Sequence, residues 1–61
     1  MDRKVERLLS KLEVDSYDMI TLISALKDAI EHEDDYEKLL KNVIVVKDDI
    51  LKVVQGLKKE L

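Results

Sequence analysis

The sequence predicts an all-α fold, a helical hairpin with two arms of nearly equal length. Apolar residues recur at alternating spacings of three and four over residues 5–29 and 36–61, a charged segment separates the two stretches, and proline is absent. This spacing places the apolar side chains on one face of a helix. We therefore expect a single helical domain, 1–61, with a helix over about 2–31, a turn at about 32–34 and a helix over about 35–60.

Length and composition restrict how such a fold is stabilised. A chain of 61 residues hides only about 60% of the surface that its unfolded form exposes, so its stability is marginal. The absence of cysteine excludes disulfides and thiolate metal clusters, which leaves oligomerisation as the usual remedy. The longest apolar run, residues 43–46, is far shorter than the roughly 20 residues of a membrane span. With a charged first segment and no signal sequence, the chain is expected to be cytoplasmic and to have no membrane partner.

The first arm carries an almost complete heptad stripe. Its members are Val5, Leu8, Leu12, Asp15, Met19, Leu22, Leu26 and Ala29. A neighbouring column widens the face: Leu9, Ser16, Ile23 and Ile30. Asp15 could cap a new helix, with Asp18 three residues later, so the arm could be kinked or broken near residues 14–16. A break gives the alternative fold, a monomeric three-helix bundle, whereas an unbroken arm of about 43 Å matches the second arm of about 40 Å and favours the hairpin.

The second arm begins after the charged segment 31–35, where Asp34 or Asp35 is the expected N-cap. Its stripe consists of Tyr36, Leu40, Val43, Lys47, Ile50, Val54, Leu57 and Leu61. Further columns widen this face as well: Leu39, Val46 and Val53, with Ile44 and Leu51. Two faces of this width need more than one partner helix each, so we expect two hairpins to form a homodimeric four-helix bundle.

The charge distribution predicts that the two hairpins run antiparallel. Residues 15–37 carry a net charge of −7, while residues 1–14 carry +1 and residues 38–61 carry +3. An antiparallel dimer sets each acidic turn beside the basic termini of the other copy. The predicted dimer core comprises Leu8, Leu12, Met19, Leu22, Leu26, Leu40, Val43, Ile50, Val54 and Leu57.

Two surfaces are candidates for binding other molecules. If the first arm is continuous, Val14, Tyr17 and Ile20 form an exposed ridge suited to another protein. The candidate basic patch at the terminal end comprises Arg3, Lys4, Arg7, Lys11, Lys58 and Lys59. This patch could bind nucleic acid, although a pI near 5.0 and the lack of interleaved aromatic residues disfavour that class of partner.

Two polar features have a structural and a functional interpretation. Lys47 and Asp15 both lie on the stripe and could form a partly buried ion pair, or Lys47 could extend to solvent while Asp15 caps a helix. His32, flanked by Glu31 and Glu33, could be a metal ligand or a phosphotransfer residue, but a solvated turn is the favoured interpretation.

The sequence contains no catalytic constellation and no cofactor motif, so we expect a protein that is not an enzyme. The expected function is a protein–protein interaction module, an adaptor or regulator, acting as a homodimer. In length and layout the chain resembles the plasmid copy-number regulator Rop, a dimeric helical hairpin that binds paired RNA loops. That resemblance covers the architecture and no individual motif. The alternative function is an RNA-binding regulator of this architecture that uses the basic patch at the terminal end, and a His32-centred phosphotransfer or metal site is the second alternative.

Overall fold

The protein folds as a hairpin of two antiparallel helices. The computed structural model describes residues 2–61 and contains, in that range, α1 (Arg3–Glu31) and α2 (Glu37–Glu60), which pack against each other. The predicted all-α helical hairpin is confirmed. The helix α1 passes through residues 14–16 without a break, so the alternative of a three-helix bundle is wrong.

Local hydrogen bonds explain why α1 starts at Arg3 and continues past Asp15. The Asp2 carboxylate accepts a hydrogen bond from the Lys4 backbone N–H at 3.0 Å, which is the usual chemistry of an N-cap. Asp15 had the sequence context of a second cap. Its Oδ1 instead accepts a hydrogen bond from Lys11 Nζ, one turn earlier in the same helix, at 2.9 Å. The carboxylate is therefore used within α1, and no new helix starts there.

The turn is closed by the paired hydrogen bonds of a Schellman motif. The Asp34 N–H donates to the Ala29 carbonyl at 2.8 Å, and the Glu33 N–H donates to the Ile30 carbonyl at 3.2 Å. Glu33 occupies the left-handed position of this motif, with φ of 56°. Glycine is preferred there because a Cβ atom is disfavoured at positive φ. The turn is thus formed at some conformational cost.

The second helix begins two residues later than the sequence analysis expected. The Asp35 carboxylate accepts a hydrogen bond from the Glu37 backbone N–H at 3.1 Å, and Tyr36 has non-helical backbone angles, φ −120° and ψ 9°. Asp35 was one of the two expected caps, and its side chain does satisfy a free N–H group of the first turn. Because it does so from one residue before the N-cap Tyr36, the helix starts at Glu37.

The core of the hairpin lies toward the terminal end. Val5, Val53 and Leu57 are buried, and the partly buried Leu8 and Leu12 pack against them. The helices approach closely at Gly56, where an added Cβ would lie 3.4 Å from a Leu8 methyl group.

The face that α2 turns toward α1 differs by one position from the predicted stripe in several places. The buried and half-buried apolar residues of α2 are Leu39, Val43, Val46, Ile50, Val53, Val54 and Leu57. Leu40 is exposed, and so is Lys47. A phase through residues 39, 43, 46, 50, 53 and 57 contains apolar side chains alone, whereas the predicted stripe would have buried the Lys47 ammonium group at a cost in desolvation.

Nine of the ten residues predicted for a dimer core are buried or half-buried within one copy, and Leu40 is the exception. A single hairpin therefore already covers much of their surface. The exposed apolar residues elsewhere provide most of the surface that is available to a second copy.

Candidate interaction surfaces

Large apolar side chains are exposed along one side of the hairpin. We call them the apolar face, and its residues, each between 38% and 64% exposed, are Leu9, Ile20, Ile23, Ile30, Leu40, Ile44 and Leu51. Each comes one position after a buried or half-buried residue of the same helix. One position is a rotation of about 100°, in the same sense on both helices when each is viewed from its own N-terminus. Because the helices run in opposite directions, these rotations bring both sets of residues to the same side of the hairpin.

The opposite side of the hairpin is mainly polar. Residues one position before the interface line a shallow groove that both helices form, and they include Asp18 and Thr21 of α1 and Asn42 and Val45 of α2. The groove shows directly that equivalent positions of the two helices share a side. Val45 is the one large apolar residue among these four.

The Lys11–Asp15 pair lies at the edge of the helix interface. Asp15 is buried, with 4% of its surface exposed, and its Oδ2 atom has no hydrogen-bond partner. The hydrogen bond from Lys11 to the Asp15 carboxylate raises the pKa of the Lys11 ammonium group above its ordinary value. The alternative pairing of Asp15 with Lys47 is wrong, because Asp15 is bound to Lys11 and Lys47 Nζ lies 3.2 Å from Asp48 Oδ1.

The predicted ridge lies on the outer surface of the continuous helix α1. Val14, Tyr17 and Ile20 are 58%, 72% and 64% exposed. Tyr17 and Ile20 also line a shallow groove with residues that include Leu9 and Ser16. Ile20 is thus shared with the apolar face, whereas Tyr17 lies further from the helix interface.

The terminal end brings the residues of the basic patch together, but ion pairs engage part of the charge. Lys4 Nζ lies 3.0 Å from Glu60 Oε1 across the two helices, and Lys11 is bound to Asp15. Arg3, Arg7, Lys58 and Lys59 are exposed.

His32 caps the C-terminus of α1. Its Nδ1 atom lies 2.8 Å from the Asp28 carbonyl oxygen, and its backbone N–H donates to the same oxygen at 3.0 Å. Among residues 2–61 no group of three or more His, Cys, Asp and Glu side chains is arranged to hold a metal ion. The geometry therefore gives His32 a role in ending the helix and no metal-ligand set.

Neither helix between residues 2 and 61 combines the length and the apolar character needed to cross a membrane. Comparison of the chain with models of protein families, with curated proteins and with solved structures gave no match. The resemblance to Rop therefore rests on the hairpin layout alone.

Sequence reasoning did not single out the apolar face as a site. Ile23, Ile44 and Leu51 were noted only as residues that widen the helix faces. The available signal was their position, because each follows a residue of the predicted stripe by one position on both arms.

Proposed function

We propose that this chain is a small protein–protein interaction module without enzymatic activity, an adaptor or regulator, which acts as a helical-bundle homodimer. The supporting observation is that one copy exposes more surface to solvent than a compact monomer of the same mass. One copy exposes 5099 Å², whereas a compact monomer of 7.1 kDa exposes about 4,100 Å². Contiguous exposed apolar surface of this kind is typical of protein-binding sites. The proposal includes a cytoplasmic location, which fractionation of expressing cells tests.

The ridge of Val14, Tyr17 and Ile20 is the proposed site for another protein. Tyr17 is its most exposed member, and tyrosine contributes large contact area at interfaces while its hydroxyl group remains hydrated. A partner that covers Tyr17 does not need to displace anything from the apolar face except at Ile20. Self-association and partner binding therefore compete only for Ile20.

Site-specific photo-crosslinking in cells that express the chain tests this site. A photoreactive amino acid at Tyr17 is expected to form a discrete adduct with another protein. The matched control is the same amino acid at Ser24, an exposed position two turns further along the same outer face of α1. Equal adducts at the two positions, or no adduct at Tyr17, would contradict the ridge as a partner site.

An RNA-binding regulator is the second candidate, and the exposed basic residues of the terminal end favour it. This function requires an affinity for RNA that falls steeply with salt. It also requires that Arg7→Glu weaken binding strongly while Lys41→Glu, on the outer face of α2, weakens it little. Binding that is insensitive to salt would dismiss this candidate.

A further inference from the structure

We infer that the apolar face is the docking surface for a second copy of this chain, bound so that the turn of each copy lies beside the termini of the other. The inference rests on the homodimer of the proposed function and deepens it by naming the surface and the orientation. Two features carry it, the area of the face and the charge of the two ends.

The area of the face matches what a small dimer requires. The hairpin measures 46 × 14 × 12 Å between Cα atoms, so one broad side has a projected area of roughly 600 Å² per copy. Two such sides approach the lower end of the range of about 1,200–2,000 Å² for stable interfaces. The excess surface of one copy, about 1,000 Å², is of the same order. A second copy thus suffices to cover the face, and it presents an apolar surface of the same shape.

The charge of the two ends sets the orientation. The turn end, residues 28–37, contains six acidic side chains and no lysine or arginine. The terminal end, residues 2–11 and 52–61, contains seven basic and three acidic side chains. If the turns lay together, two ends of net −6 would be adjacent. The reversed arrangement places each of them next to an end of net +4 and is favoured electrostatically.

A charged residue of α2, Lys47, lies on the side of the apolar face near its middle. Lys47 comes one position after Val46 and therefore lies on the same side as Ile44 and Leu51, three residues before it and four after it. In the reversed arrangement the symmetry axis passes near the middle of each helix, so the Lys47 residues of the two copies come close together. Lys47 therefore weakens the dimer, and an apolar residue there should strengthen it.

Adjacent residues of α2 provide a matched test of the surface. Ile44 and Val45 are 54% and 58% exposed, but they lie on opposite sides of the hairpin. Sedimentation equilibrium of the wild type across a concentration series is expected to give twice 7.1 kDa. Ile44→Glu should raise the dimer dissociation constant at least about 100-fold, while Val45→Glu should change it less than about threefold. A monomeric wild type, or equal weakening by the two substitutions, would overturn the inference.

A gain-of-affinity variant keeps the test decisive if Ile44→Glu unfolds the chain. Lys47→Leu is expected to lower the dimer dissociation constant about tenfold or more, because it removes a charge from the covered face. Lys52→Leu, on the polar side, is the control and should leave the constant within about threefold. Failure of Lys47→Leu to tighten the dimer beyond Lys52→Leu would overturn the assignment of this face.

Distances between spin labels test the orientation. The chain has no cysteine, so Asp34→Cys allows one label in the turn of each copy. The reversed arrangement predicts a distance close to the 46 Å length of the hairpin. The opposite arrangement predicts less than about 20 Å, since packed helices lie 8–10 Å apart. Labels on Asp48→Cys, near the middle of α2, should lie within about 30 Å in either case and verify that the dimer has formed.

The outcomes separate this inference from the proposed function. A short Asp34 distance in a stable dimer would overturn the orientation and leave the homodimeric module intact. A monomer that still forms the Tyr17 adduct would overturn the docking surface, while binding to another protein would stand.

Discussion

At the scale of single residues, Asp15 reduces the stability of the hairpin, because its carboxylate is buried and only partly hydrogen-bonded. It occupies a stripe position, its Oδ1 atom is bound to the half-exposed Lys11 ammonium group, and its Oδ2 atom has no partner. A buried polar atom without a partner costs about 1–3 kcal/mol. Asp15 therefore costs stability.

We predict that Asp15→Leu raises the free energy of unfolding by about 1 kcal/mol, because it removes this unpaired atom and continues the apolar stripe. Chemical denaturation at fixed protein concentration measures the change. Lys11→Met should destabilise the wild-type protein, because it leaves the Asp15 carboxylate buried without a partner. The same substitution made in the Asp15→Leu variant should have almost no effect on the free energy of unfolding. Additive effects of the two substitutions would show that the pair is not coupled.

Glu33 is a second residue that costs stability, because its backbone has a positive φ. We predict that Glu33→Gly stabilises the protein by about 0.5–1 kcal/mol, because glycine adopts the φ of 56° without the penalty of a Cβ atom. Thermal denaturation measures this effect. Glu33→Gln is the control, because it removes the negative charge and keeps the Cβ atom. If it stabilises the protein as much as Glu33→Gly, the cause is relief of charge repulsion in the acidic turn, and the explanation from backbone conformation fails.

At the scale of the helices, the close approach at Gly56 gives a test of packing against helix propensity. Alanine is favoured over glycine within a helix by about 1 kcal/mol, and the 3.4 Å contact of its Cβ with Leu8 is at the edge of ordinary van der Waals distance. We predict that Gly56→Ala stabilises the protein by about 0.5–1 kcal/mol in chemical denaturation. Gly56→Leu should destabilise it, because a long side chain would force the helices apart. Equal gains from the two substitutions would mean that the helices do not meet closely here.

The helices also show what their sequence could and could not determine. The spacing of Val5, Leu8 and Leu12 predicted α1 and its inner face correctly, because most of the large apolar residues that flank that stripe lie on one side of it. On α2 the run of residues 43–46 is apolar at every position, so two phases were compatible with the pattern. The choice through Lys47 was wrong, and the cost of burying its ammonium group was the physical signal against it.

The two candidate surfaces differ in how far the spacing alone revealed them. Tyr17 could be placed on the outside of a continuous helix from its spacing alone. The apolar face was not recognised as a site, although Ile44 and Leu51 follow Val43 and Ile50, which face α1 in both phases of α2. The start of α2 was missed for a local reason, since Asp35 caps the helix from outside the N-cap position.

At the scale of the whole molecule, the hairpin is extended and thin. Its radius of gyration is 14.3 Å, whereas a compact chain of this length has about 10.5 Å. A two-layer structure with so small a core is expected to gain much of its stability from association.

We predict that the melting temperature of the wild type rises with protein concentration, because a dimer that forms only from folded chains shifts the folding equilibrium by mass action. Circular dichroism over a hundredfold range of concentration measures the shift. Val45→Glu should retain the dependence and Ile44→Glu should lose it. A melting temperature independent of concentration in the wild type would indicate that folding and association are not linked.

The separation of charge along the 46 Å hairpin has an electrical consequence. A single chain, acidic at the turn and basic at the termini, is a rod with a large permanent dipole moment along its axis, and at low ionic strength it should align in an applied field. Two such rods related by a symmetry axis perpendicular to their length have axial moments that cancel. A dimer in the reversed orientation should therefore have almost no net axial dipole moment and should align only weakly, although it is larger than the single chain. Because the fraction of dimer rises with protein concentration, the transient electric birefringence per chain should fall.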